Sequence, residues 1–164
     1  MSKLIKQMLK KKQRSNFSTI EWELRNYKQT KKELELMREE VIMGRKHSET
    51  PAERHRISDP TAAKAIQLTT STALIETERR IAAIEYALEV LEKTEDPSKL
   101  KLIEYLYLNP TPRYSDVQIR QKVHIGTTTF YKWRNEFVWL IANRLGWDAG
   151  QPEAGGRGGE NETA

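Results

Sequence analysis

Cysteine is absent from all 164 residues. That excludes disulfide scaffolds, thiolate zinc sites and cysteine nucleophiles. No run of about 18 apolar residues exists, so no membrane-spanning helix is expected. The basic opening, MSKLIKQMLKKKQR, is followed by neither a long apolar core nor a small-residue cleavage site, and it does not read as a signal peptide. Histidine is scarce. His47 and His55 stand in RKHSETPAERHRIS, too far apart and with too few neighbours of ligating type for a metal site, so solvated histidines are expected. The glycine-rich GGRGG lies in the terminal tail and precedes no helix, so it is not a phosphate-cradling loop. No acidic cluster at metal spacing stands out, and no Ser-His-Asp arrangement is legible. Glu39–Glu40 and Glu76/Glu78 read as surface helix charges. The expectation is a cytoplasmic protein with no catalytic residues, no cofactor and no metal, and therefore not an enzyme.

Charge is what the chain has in quantity. Charged residues make up 31% and hydrophobic residues 37%, the net charge is +5, and the mean hydropathy is −0.75. A basic balance favours a polyanionic partner, and location sharpens this. Lys3, Lys6, Lys10, Lys11, Lys12 and Arg14 form a basic arm. Lys99, Lys101, Arg113, Arg120, Lys122, Lys132, Arg134 and Arg144 make the C-terminal third positive, whereas Ile57 to Glu95 is acidic.

Periodicity predicts an all-α protein. Residues 1–18 form the basic arm, either helical in LIKQMLKK or a solvated tail. Residues 19–95 hold a helical hairpin, coiled-coil-like and a candidate dimerisation region. Its first helix starts at Ser18 or Thr19, with Ser18 and Glu21 fitting a capping box, carries Ile20, Leu24, Tyr27, Leu34 and Val41, and stops at Gly44. Its second starts at Asp59–Pro60, the aspartate as cap and the proline in the first helical position. A stripe follows near a seven-residue repeat: Ile66, Thr70, Ala73, Thr77, Ile81, Ile84, Leu88 and Leu91. TTST, Thr69 to Thr72, reads as a small-residue helix contact. Asp96–Pro97 breaks this helix and opens residues 97–147, where Leu100, Ile103, Leu106 and Tyr107 give a buried face ahead of the turn NPTPRY. Residues 148–164 lack large apolar side chains and are expected to be disordered.

The stretch from Ser115 onward carries the functional signal. Ser115 caps a short helix with Asp116 and Gln118 in its first turn, and Ile119 and Val123 face one way. A second helix begins at Gly126 or Thr127. Two short helices with Ile119, Val123, Ile125, Phe130 and Trp133 facing inward make a helix-turn-helix, the second being the recognition helix. Three consecutive threonines are poor helix formers, yet they open it. Short hydroxyl side chains allow close approach to DNA, and they can contact phosphates, base edges and thymine methyls. On the wheel Phe130, Trp133 and Phe137 share the core face. Thr128, Tyr131 and Asn135 lie opposite, flanked by Thr127, Lys132 and Arg134. Val138 and Trp139 fall off the buried face, and that surface packs on the N-terminal helices, a second protomer or RNA polymerase. The first two are favoured.

IRQKVHIGTTTFYKWRNEF followed by IANRLGW resembles the C-terminal domain of phage late-gene transcriptional activators of the RinA/ArpU type, a domain similar to region 4 of sigma factors. ELRNYKQTKKELELMREEVI, Glu23 to Ile42, resembles the opening helix of that family. The resemblance covers roughly residues 19–147 and is strongest from Ile119 to Trp147. It implies sequence-specific binding of double-stranded DNA at phage promoters in a bacterial host cell and activation of late genes. Three positions depart from the family pattern. Arg120 stands where a small residue is usual, His124 where glycine is usual, and Gly126 where a serine or threonine cap is usual, so Thr127 is expected to cap instead.

These observations lead to a DNA-binding transcriptional regulator. Arg113, Lys122, Lys132 and Arg134 anchor phosphates, and Thr127, Thr128, Tyr131, Lys132 and Asn135 read the major groove. Expected partners are double-stranded DNA, bacterial RNA polymerase and a second protomer, with no membrane. The alternative is a small terminase-like DNA-packaging or structural phage component, which also combines a helix-turn-helix with oligomerising helices but commonly carries the motif at its N-terminus.

Overall fold

The computed structural model describes residues 2–47, 60–109 and 111–151. Every regular element among the described residues is helical, as the periodicity predicts. In chain order they are α1 (Lys3–His47), α2 (Pro60–Glu92), α3 (Pro97–Ile103) with a π-helical turn continuing it (Glu104–Leu108), α4 (Asp116–Val123) and α5 (Thr127–Leu145).

Helix α1 begins far earlier than expected. Ser18 and Thr19 are interior positions: the Thr19 hydroxyl donates to the Ser15 carbonyl at 2.9 Å, a back-bond within a continuing helix rather than a cap. The start is at Ser2, whose hydroxyl accepts from the Ile5 N–H at 3.3 Å. Leu, Lys, Gln and Met are strong helix formers, so the arm needs no new chemistry to continue the helix. Gly44 does not stop it either. One interior glycine costs only about 1 kcal/mol relative to alanine, which a long helix absorbs. Helix α2 starts at Pro60 as predicted. Asp59, its expected cap, lies outside the described residues, as do His55, residues 152–164 and the side chains of His47, Ile66 and Thr70.

The residues fall into two compact units, one drawn from Met1–Arg25 with Ala83–Ala164, the other from Asn26–Ala82. The second includes parts of α1 and α2. Leu34 and Ile81 are buried there, and the Arg38 guanidinium gives two N–H groups to one oxygen of Glu78, at 2.8 and 2.9 Å.

The first unit holds the main core: Ile20 and Leu24 of α1, Ile84 and Ala87 of α2, Leu102, Ile103 and Tyr107, and the buried faces of α4 and α5. Asp96 caps α3 by accepting from the Ser98 N–H at 2.9 Å, with Pro97 in the first turn, as the sequence predicts. Leu102, missed in the expected buried face, is fully buried. After Ile103 the helix widens, and the Asn109 N–H reaches back five residues to the Glu104 carbonyl at 2.8 Å. A π-turn re-aims the side chains that follow. Tyr107 is buried and its hydroxyl donates to Glu21 of α1 at 2.7 Å, while Tyr105 and Leu106 pack against the core beside α4. Burial, then the Glu21 carboxylate, pushes the Tyr107 phenol above its ordinary range. It therefore remains a donor, and Arg25 completes the group, 5.6 Å above the Tyr107 ring and 3.7 Å from Glu21.

The chain just past Trp147 is ordered, contrary to the expectation of disorder from residue 148. Gln13 donates to both Asp148 carboxylate oxygens at 3.1 Å, and Asn16 donates to the Asp148 carbonyl at 2.7 Å. The extension of α1 through the basic arm supplies those partners.

Candidate nucleic-acid interface

The α4–α5 pair stands on a compact apolar cluster of Leu102, Ile119, Val123 and Phe130, with Tyr114, Ile125 and Trp133 packed against it. Helix α4 begins with the predicted capping box. Gln118 N–H donates to the Ser115 hydroxyl at 3.4 Å, and Ser115 N–H donates to the Gln118 side chain at 2.9 Å. Such a cap contributes about 1 kcal/mol. Helix α4 ends at His124, which is left-handed with φ 58° and ψ 44°. There the Ile125 N–H returns to the Arg120 carbonyl at 3.0 Å and the His124 N–H to the Gln121 carbonyl at 3.3 Å, closing a Schellman motif. Glycine is the usual occupant of that left-handed position, and histidine is among the residues that tolerate it. Helix α5 closes in the same way at Gly146, with φ 71°.

Helix α5 begins at Thr127, and Gly126 is its cap residue, so the expected shift of the cap to Thr127 does not occur. Gly126 has no side chain to accept from the first-turn N–H groups. Its φ of −77° suits any residue, and a Cβ there would meet nothing within 4 Å. Glycine is thus not sterically required. Its effect is to leave the positive end of a 19-residue helix uncovered beside exposed Thr127 and Thr128.

Arg120 bridges the two helices. Its Nε donates to the Asp116 carbonyl at 3.3 Å and its guanidinium donates to the Thr127 hydroxyl. The sequence marks this arginine only as a departure from a small residue. The structure gives the large side chain partners on both helices, the Asp116 carbonyl of α4 and the Thr127 hydroxyl of α5. Val117, Arg120, Gln121, His124 and Ile125 line an open depression of about 510 Å³ on this side.

The eight candidate residues do not form one face. Thr127, Thr128, Tyr131 and Lys132 are exposed along the first turns of α5. The Tyr131 ring is braced edge-on against Phe130, with centroids 5.1 Å apart. Lys132 stands 4.0 Å from Glu136, a weak, solvated pairing. Arg134 is half-buried, its guanidinium 5.4 Å from the Phe17 ring of α1 and 5.0 Å from the Tyr131 ring. It also donates to the Asn135 side-chain oxygen at 3.3 Å, and Asn135 is half-buried too. Lys122 lies over the rings of Tyr114 at 4.5 Å and Tyr105 at 5.9 Å, and Arg113, beside Tyr114 in the chain, is exposed.

Val138 is fully buried, not off the buried face. A single wheel assumes one buried stripe along α5. The first turns pack on α3 and α4, but the later turns also meet α1 through Phe17 and α2 through Tyr86, 4.7 Å below Arg144. This widens the buried arc to take in Val138 and turns Arg134 inward. Trp139 is half-buried.

Among the described residues no helix is long and apolar enough to cross a membrane, and no group of three or more His, Cys, Asp or Glu side chains could hold a metal ion. Comparison with protein-family models, with curated protein sequences and with solved structures finds no match.

Proposed function

We propose that the protein is a sequence-specific double-stranded DNA-binding transcriptional regulator, with α4 and α5 as its helix-turn-helix and α5 as the helix that enters the major groove. Residues 19–95, which hold α2 and the part of α1 beyond the basic arm, would be the helical hairpin of the same architecture. The observation that carries this reading is the start of α5: an uncapped helix end, two exposed threonines and a braced, exposed tyrosine, with cationic side chains around them. Backbone N–H groups and short hydroxyls at a helix start are chemistry suited to phosphates and base edges. Arg120, by holding the Thr127 hydroxyl, acts as a positioning residue for that first turn. Activation of phage late genes and contact with RNA polymerase follow from the resemblance to the RinA/ArpU activators and belong to the same proposal. No catalytic step is assigned to it.

The test is selection of bound fragments from a pool of random duplex DNA at about 150 mM salt, where surface charges are screened as in cells. One enriched sequence supports the reading. Binding without enrichment, or none, overturns it.

Two variants separate the parts of the interface. Gly126→Asp places a capping carboxylate on the open end of α5, so thermal stability rises by a few tenths of a kcal/mol while affinity for every DNA sequence falls. Stability and binding moving in the same direction would contradict the role of that helix end. Lys122→Ala weakens binding to all sequences alike and reduces the slope of log K against log salt by about 0.9, the loss of one phosphate contact. An unchanged slope removes Lys122 from the phosphate set.

A further inference from the structure

Gln13 and Asn16 tie α1 to Asp148, and on the other side of that tie every residue from Ser2 to Lys12 is exposed. Four of these are large and apolar: Leu4 at 66%, Ile5 at 47%, Met8 at 64% and Leu9 at 40%. At 3.6 residues per turn they fall on one side of the helix, and Lys3, Lys6, Lys10 and Arg14 fall on the other. Lys11 borders the apolar side and Lys12 lies within it. Trp22, 59% exposed, stands five full turns after Leu4. It therefore shares the side of Leu4 and Met8, across the helix from buried Ile20 and Leu24. No aspartate or glutamate precedes Glu21, whose carboxylate accepts from the Tyr107 hydroxyl. All of these residues belong to one compact unit.

Three occupants can be weighed against this side. A DNA duplex would use the lysines but leave Leu4, Met8 and Trp22 in water. A protein groove or a second helix needs apolar anchors recurring every three or four residues. Between Leu9 and Trp22 the side carries Lys11, Lys12, Ser15 and Thr19 instead, so there is no continuous seam. A bilayer surface needs no seam. It takes apolar side chains at any point along a helix lying flat, a tryptophan at the level of the headgroups, and cations that reach anionic headgroups on flexible stems. We propose that the first turns of α1 lie on the surface of a membrane containing anionic phospholipid, with Leu4, Ile5, Met8 and Trp22 entering the interface and the six basic residues from Lys3 to Arg14 supplying the attraction. This is a contact with a surface and not a span. The partners expected from the sequence include no membrane, and this side of α1 departs from that. The proposal stands independently of DNA binding.

The test is sedimentation of the full-length protein with vesicles of phosphatidylcholine, alone or mixed with phosphatidylglycerol, at about 150 mM salt. The protein should sediment with the mixed vesicles and not with phosphatidylcholine alone. Tryptophan emission should move to shorter wavelength on binding, and Trp22→Phe should remove most of that shift. Met8→Asp, and separately Lys6→Glu with Lys10→Glu, should each weaken partitioning at least about tenfold. All these positions are exposed, so helical content measured by circular dichroism should not change. Three results overturn the proposal: no binding to the mixed vesicles, equal binding to both kinds, or binding that the arm variants leave unchanged. Absence of vesicle binding with a dimer that Met8→Asp dissociates overturns it in favour of a second copy. Absence of vesicle binding with a duplex affinity that falls only in the lysine variant overturns it in favour of DNA phosphates.

Discussion

Phe130→Ala should destabilise the protein by about 3–5 kcal/mol. Phe130 is fully buried at the centre of the cluster where Leu102, Ile119 and Val123 meet. Its removal loses the transfer free energy of a phenyl ring and leaves a cavity. These neighbours come from two helices, α3 and α4, each held by its own cap, and they can collapse only partly. The ring also braces Tyr131 edge-on, so the exposed phenol would lose its support. A loss of this size is a large share of the roughly 5–15 kcal/mol that stabilises a typical domain. Urea denaturation followed by circular dichroism should show a lower midpoint with a similar slope. A loss under about 1 kcal/mol would mean that this cluster is not the support of α4 and α5.

Thr128→Ala and Tyr131→Ala should act differently. Both side chains are exposed, so the fold should be retained. Each change is expected to lower the preference for the selected site over random DNA by about 1–3 kcal/mol, the worth of a contact to a base edge. The two positions lie one turn apart and share a surface, so the double variant need not be additive. Competition binding with the selected and scrambled duplexes measures this directly. The selected duplex should lose affinity while the scrambled one changes little. Equal losses on both would make these residues phosphate contacts and leave the reading of sequence to other side chains.

The contrast between Thr128 and Arg134 shows which parts of the candidate site were legible beforehand. Thr128 and Tyr131 lie on the first turns of α5, where one packing face is enough to say what points away from it. Arg134 and Asn135 lie one turn further on, where Phe17 of α1 covers part of the surface that the wheel leaves open. No local spacing announces a partner that distant in the chain. Arg120 was likewise unreadable as a clasp, because its reach to Thr127 depends on the left-handed turn at His124.

What the sequence determined by itself is what short-range physics controls. Helical periodicity decided the all-α class. Ser115 with Gln118 decided where α4 starts, Asp96 with Pro97 where α3 starts, and Pro60 where α2 starts, since a cap or a proline acts within a turn of its own position. Ile119, Val123 and Phe130 could be placed in the core for the same reason. Only the tertiary structure decided the extent and role of α1. Its basic segment has no local signal separating a solvated tail from a helix, but Gln13 and Asn16 meet Asp148 across 135 and 132 residues of chain, and Glu21 meets Tyr107 across 86. Contacts that close such long loops exist only once the helices have packed, and Phe17 of the same helix then lies beside Arg134 of α5.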